Sequence, residues 1–434
     1  MNRLLIKGGR VLDPVGNIDA VLDVLVEEGR IAAVGQNLNA EAQVLDASGQ
    51  LVCPGFIDMH VHLRDPGEEY KEDMVSGTVA AAKGGFTAIA CMPNTKPVMD
   101  SRPLVEALLK KADSAGCVRV YPICALSKGQ QGEELAELGD MREAGAVAAS
   151  DDGHPVQNGQ LMRLALEYSR PFDMLIINHA EDKILTDGAT MHEGAVSTLL
   201  GLRGMPAEAE ELMVARDLMM ARLTGGRLHI PHVSTKGAVE LIAQYKAQGV
   251  AVTCEVTPHH LLLTDQLVRD TWYDTDTKVN PPLRSQEHVD ALLQAVAEGV
   301  IDAIASDHAP HHQDDKLVEY DYAAFGISGL ETSVSLMADR LVHAGPLTWA
   351  DLVKLYSVHP ARILGVEGGS LAEGVRADIT IIAPEKSGSV KVEEFASRGR
   401  NTPFKGWKFK GAPWGTVVGG EVIMWESRLV DRKR

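Results

Sequence analysis

Between residues 54 and 365 the chain alternates short apolar runs with helical segments, and five of the runs close on histidine or aspartate. They are FIDMHVHL, with His60 and His62; VAASDD, with Asp151 and Asp152; LIINHAE, with His179; LHIPHVS, with His232; and DAIASDHAP, with Asp307. Strand candidates lie at 56–63, 86–92, 119–126, 146–151, 174–180, 227–233, 250–256 and 301–306. Helical segments separate most of them, among them 101–115, 207–224 and 236–248. Ser101 is placed to cap the first of these and Pro103 falls in its first turn. Eight strands alternating with helices predict an α/β fold, a (β/α)8 barrel of the TIM type. A doubly wound open sheet shares the alternation. The chain positions of the histidines and aspartates decide between the two. They close the first strand, the last strand and three between, and a barrel sets its first and last strands side by side.

The two ends read differently. LLIKGGRVLD, AVLDVLVEEG and RIAAVGQ alternate apolar with polar positions and break at glycine and asparagine. ADITIIAP and WGTVVGGEVIMW do the same near the C-terminus, the latter as a hairpin about Gly419–Gly420. We expect residues 1–53 and 366–434 to form one small β-sandwich from both chain ends, beside a barrel domain at 54–365.

A net charge of −18 argues against general nucleic-acid binding, which needs a basic surface. A small anionic substrate needs only local cations. No apolar run is long enough to span a bilayer, and the start, MNRLLIKGGRVLDP, is broken too early to be a signal peptide. Cys53, Cys91, Cys117, Cys124 and Cys254 are scattered, with no CxxC pair, and read as reduced, buried thiols of a cytoplasmic protein.

Zinc and harder cations favour imidazole nitrogen and carboxylate oxygen. His60-Val61-His62 is an HxH on a strand, whose period of two points both rings to one face. Taken singly, His179 and His232 would as readily be rim histidines. Together with the HxH, their spacing over successive strands favours metal ligands. A carboxylate at Asp307 could bind a metal, take a proton from its water and return it to a leaving group. A two-metal site also needs a bridge. The fourth strand, which has no lysine, offers Asp151 and Asp152; adjacent strand residues face opposite ways, so one is expected to point inward and the other to cap the following turn.

DMHVHLRDPG (58–67) and ASDHAPHHQDDK (305–316) resemble the two signatures of the cyclic amidohydrolases. With MPNT (92–95), VNPPLR (279–284), FGISGLET (325–332) and NTPFKGWKFKG (401–411), the chain resembles the bacterial type I dihydroorotases over nearly its whole length. The Asp pair in place of a carboxylated lysine matches that type and departs from hydantoinases and animal dihydroorotases. The resemblance implies reversible ring closure of N-carbamoyl-L-aspartate to L-dihydroorotate in pyrimidine synthesis, with zinc as cofactor. It implies that His60, His62 and Asp307 hold one ion and that His179 and His232 hold a second. Asp152 would bridge them, with Asp151 as the alternative, and Asp307 would be the general acid and base. It further implies a homodimer and leaves open an association with aspartate transcarbamoylase.

The substrate so implied carries a second carboxylate that does not react. Arg64, two residues beyond His62, can pair with it bidentately; otherwise it would join Asp65 or Glu68 in a surface ion pair. Asn94 offers an amide donor, or else serves the MPNTKP turn. His311 could complete the clamp beside His62, with His308 and His312 less suited. Asn280 and the Phe325–Gly326 backbone resemble the family's contacts to the amide edge of the ring, and a glycine lets backbone approach a ligand closely. His259 and His260 read as structural packing. Residues 64–73 shape the entrance, and 309–325 are expected to form a mobile lid. Two rivals share many of these features: an allantoinase or hydantoinase, and a non-catalytic dihydroorotase-like partner of aspartate transcarbamoylase. The second should have lost ligands, and this chain keeps every expected one.

Overall fold

The computed structural model describes residues 3–430. Eight parallel strands follow one another in chain order around a single sheet: Phe56–Val61, Phe86–Cys91, Arg119–Cys124, Ala148–Ser150, Leu175–Ile177, Leu228–Ile230, Val252–Val256 and Ala303–Ile304. The sheet curls until its ends meet. Val61 bridges His308 in parallel, and the His62 N–H donates to the His308 carbonyl at 2.8 Å. That contact closes the barrel and excludes the open sheet.

Helices Arg102–Ala115, Glu208–Thr224 and Lys236–Ala247 lie among the strands where the apolar periodicity places them. Thr235 caps the third, its hydroxyl accepting the Ala238 N–H. Ser101 precedes the first but makes no side-chain cap bond; Pro103 in the first turn has no N–H to be capped. Side-chain alternation divides the strands between two apolar clusters. Ile89, Cys91, Cys254 and Val256 pack with the helix residues Val105, Leu108, Leu218 and Ile242. Ala88, Ala90, Ala148, Leu175 and Ile177 pack with one another across the barrel. On the seventh strand Val252, Cys254 and Val256 join the helix-side cluster, which leaves Thr253 and Glu255 facing inward.

Strands from both chain ends form one nine-stranded sheet. Leu51–Pro54 joins the two contributions by pairing antiparallel with Ile379–Ile382. Leu4, Ile6, Val24, Val26, Val52, Ile379, Ile381 and Val417 share its core. Val418 pairs with Glu421 across Gly419–Gly420, whose φ angles of 56° and 79° are those a two-residue hairpin turn demands. The segment after this sheet's first C-terminal strand also reaches back to the barrel rim: the Asn401 amide donates to the Ala309 and Gly326 carbonyls. All five cysteines are buried thiols outside any disulfide, and burial pushes the Cys91 and Cys254 thiols up to about 12. Among the described residues no helix is long and apolar enough to cross a membrane.

Candidate active site

The C-terminal strand ends bring His60, His62, Asp152, His179, His232 and Asp307 together, all of them buried. Three residues around this rim hold left-handed backbone: Arg64 at φ 58°, His232 at 34° and Asp307 at 44°. Such backbone costs roughly 1–3 kcal/mol per non-glycine residue and collects where side chains must be aimed.

Asp152 is the hub. Its Oδ1 lies 3.5 Å from His60 Nε2, 3.5 Å from His232 Nε2 and 3.6 Å from His179 Nδ1, and its Oδ2 lies 3.5 Å from His62 Nε2. Asp307 Oδ1 lies 3.2 Å from His62 Nε2 and 3.5 Å from His60 Nε2. Asp151 faces the other way, as strand alternation requires. It accepts the Leu126 and Ser127 N–H groups at 2.9 and 3.0 Å and the Ser127 hydroxyl. Burial works to raise the Asp152 carboxyl, but the surrounding His60, His179 and His232 rings outweigh it and hold the group well below its usual range. Burial likewise opposes ionisation of Asp307, and His60 and His62 overcome it.

Three of the four rings use their outer nitrogen in the same way. His60 Nδ1–H donates to Glu255 at 2.8 Å, His62 Nδ1–H to Asn94 at 2.9 Å and His179 Nε2–H to Glu181 at 3.1 Å. Their inner nitrogens then present lone pairs to the carboxylates. His60 Nε2 and Asp152 Oδ1 are buried without a hydrogen bond, and His179 Nδ1 sits 2.9 Å from His232 Nε2. Lone pairs converging on carboxylate oxygens in a buried pocket repel unless a cation lies among them. Among the described residues, two sets of donor atoms come close enough to share an ion: His60, His62 and Asp307, and His60, Asp152 and His232. The donor chemistry therefore fits a divalent metal.

His62, Asp152, His179, His232 and Asp307 form the floor of a cavity of about 600 Å³. Its walls include Arg64, Asn94, Asn280, His311, Phe325 and Gly326. Arg64 is buried; among the described residues its Nε donates to the Pro310 carbonyl at 3.3 Å and its Nη2 lies 3.3 Å from His311 Nε2, a nitrogen that itself donates to the Phe325 carbonyl at 2.8 Å. Its surface alternatives are taken, Asp65 by Lys111 and Glu68 by Lys71 and Lys96. Burial, with Arg64 alongside, pushes the His311 ring down to about 2, so the ring is neutral. Gly326 has φ 144°, and a Cβ there would meet the Ala309 carbonyl oxygen at 2.7 Å. Asn94 and Asn280 line the cavity with part of their capacity committed: the Asn94 carbonyl to His62, and the Asn280 amide to Glu181 at 2.9 Å.

Of the remaining histidines, His308 Nε2–H donates to Glu72 at 3.2 Å and His312 is largely exposed. His260 spans Thr257 and the Pro281 carbonyl, bracing the loop that carries Asn280. His259 is buried beside His260, their ring centroids 4.6 Å apart. Residues 309–325 are pinned from beneath. Lys316 Nζ donates to Ala324 at 2.8 Å, and Lys278 Nζ donates to Tyr320 and Asp321 at 2.8 and 3.0 Å, all through backbone carbonyls. Sequence reasoning missed Lys278, Glu181 and Glu255. A charge inside the strand VTCEV was a signal for the last, because the interior of such a barrel is usually filled by branched apolar side chains.

Comparison with known proteins places this geometry. The model of the family described as dihydro-orotase-like matches residues 49–238. A dihydroorotase of Pelotomaculum thermopropionicum is 56% identical over 99% of this chain and all of its own length. One of Geobacter metallireducens is 52% identical over 97% of this chain and 99% of its own. Among solved structures, the L-hydantoinase (dihydropyrimidinase) of Arthrobacter aurescens superposes with a TM-score of 0.89 at 26% identity, covering 100% of this chain and 98% of its own. With more than half of its residues shared with such a relative from end to end, the chain belongs to the dihydroorotase family of the cyclic amidohydrolases.

Proposed function

We propose that the chain interconverts N-carbamoyl-L-aspartate and L-dihydroorotate, as a dihydroorotase of pyrimidine synthesis. The observation that carries this is Arg64: a buried guanidinium, without an ion pair among the described residues, lining the same cavity as the His/Asp cluster. A ring bearing a carboxylate gives that cation its partner, whereas a neutral hydantoin leaves it buried and uncompensated. The hydantoinase likeness reflects a shared barrel.

We assign two zinc ions to the cluster. His60, His62 and Asp307 would hold one, His179 and His232 the other, with Asp152 between them. Bound there, the ions would supply an activated water and polarise the reacting carbonyl. In the hydrolytic direction the ring amide C–N bond breaks. Asp307 takes the proton from the attacking water and passes it to the departing nitrogen. Arg64 and the neutral His311 hold the non-reacting carboxylate against one wall. Asn280 and the Phe325–Gly326 backbone face the amide edge of the ring. In the reverse direction a carboxylate must act as electrophile, so neutralising its charge matters most there.

The test is hydrolysis of L-dihydroorotate by the purified protein, with metal content measured in the same sample before and after chelation. Turnover should fall with the metal and return with zinc. Bound metal with turnover of a hydantoin or allantoin, and none of dihydroorotate, would overturn the substrate. No metal and no turnover would favour the non-catalytic partner. A homodimer, a cytoplasmic location and association with aspartate transcarbamoylase belong to the same proposal, and light scattering with and without the transcarbamoylase tests the assembly.

A further inference from the structure

A chain of polar side chains runs through the barrel interior beneath the cluster. His60 Nδ1 is 2.8 Å from Glu255 Oε1. Glu255 Oε2 is 3.3 Å from His229 Nε2, an electrostatic contact outside hydrogen-bond geometry, and His229 Nδ1 is 2.8 Å from Thr253 Oγ1. Glu255 and His229 are each 1% exposed. Burying a carboxylate and an imidazole where apolar side chains would fill the space is unfavourable unless every group is paired. The chain offers nothing to stability that a branched aliphatic side chain would not offer more cheaply. What it does offer is control of one ring. A carboxylate accepts but never donates, so Glu255 draws the His60 proton onto Nδ1. His60 Nε2 then carries a lone pair toward the gap between Asp152 and Asp307, 3.5 Å from an oxygen of each.

We propose that Glu255 is a positioning residue for the metal centre, held in place by His229 and Thr253, which sets the His60 tautomer and the direction of its lone pair. This rests on the reading that the cluster binds divalent metal. Glu255 comes from the seventh strand and His60 from the first, so the contact also ties the ligand to a strand two places away around the barrel. Asn94 and Glu181 play the matching part for His62 and His179, but both line the cavity; Glu255 lies outside the cavity lining and so reports on metal binding without touching substrate.

The experiment is titration of the metal-free protein with zinc and with cobalt, in the wild type and in Glu255→Gln. The amide oxygen of glutamine still accepts the same bond, but without the charge. Loss of an outer-shell partner typically weakens metal binding about 10–100-fold. We expect a loss in that range at one site, a shifted cobalt visible spectrum, and an unfolding temperature of the metal-free protein close to wild type. Unchanged affinity and spectrum in a folded Glu255→Gln would overturn the proposal. If that variant does not fold, Thr253→Val decides: weaker metal binding that Thr253→Ser restores supports the proposal, and unchanged binding overturns it. A wild type that binds neither metal would overturn the metal reading and this proposal with it, and is told apart because the reference titration itself is blank.

Discussion

Replacing Arg64 with alanine separates the substrate assignment from the metal site. Arg64 is 9% exposed, and among the described residues its guanidinium donates to the Pro310 carbonyl and lies against His311 Nε2, each at 3.3 Å. It has five N–H donors, so most of the fork is free for a ligand. Removing one partner of a buried charge pair costs about 3–5 kcal/mol. The cavity admits water, which favours the lower end, so kcat/KM for L-dihydroorotate should fall ~150-fold, from about 3 kcal/mol at 1.36 kcal/mol per factor of ten. Metal content should stay at the wild-type level, because Arg64 bonds to His311 and Pro310 and to none of the six cluster residues. Lysine at this position returns the charge without the fork and should recover only part of the loss. Guanidinium ion added to the alanine variant should recover part of it too. The assay is steady-state hydrolysis with metal quantified in each preparation. Turnover within twofold of wild type, or a loss matched by loss of metal, would refute the reasoning.

Asp152→Asn should strip the centre of metal and activity. Asp151→Asn should keep the metal and instead lose about 1–3 kcal/mol of stability, because the carboxylate that collects the Leu126 and Ser127 donors is replaced by a weaker acceptor; metal analysis and urea unfolding separate the two. Gly326→Ala forces a Cβ to within 2.8 Å of the Ala309 Cβ, at a φ that side chains rarely adopt, and should raise KM for dihydroorotate several-fold. Burial lowers Lys316 from 10.5 to about 8, so between those pH values the unfolded chain binds a proton that the folded chain has released. Stability from this group is therefore gained as pH rises from about 8 to about 10.5, and the difference in urea stability between wild type and Lys316→Met should shift in favour of the wild type across that window.

The barrel was legible because its strands are nearly continuous apolar runs, as sheets covered on both faces require. Five residues of the cluster, His60, His62, His179, His232 and Asp307, were legible because each closes such a run; on the fourth strand Asp151 and Asp152 both stood open. Asn94 and Asn280 were harder. Both lie in proline-containing loops, where no periodicity says which way an amide points, and the structure shows Asn94 partly engaged by His62 of the cluster and Asn280 by Glu181 beside it. Lys278 and Lys316 are buried lysines bonded to backbone carbonyls, and a carbonyl partner leaves no mark on a sequence.

The sequence by itself determined which residues reach the rim of the barrel, since strand period and chain order are local properties. Only the tertiary structure turned Asp152 rather than Asp151 toward the cluster, and showed Arg64 buried with no ion pair among the described residues rather than in a surface ion pair. It alone brought Glu255 against His60 across 195 positions of chain. The physical reason is that alternation states which face a side chain takes, whereas its partners are set by the curl and closure of the sheet, which couple strands distant in sequence.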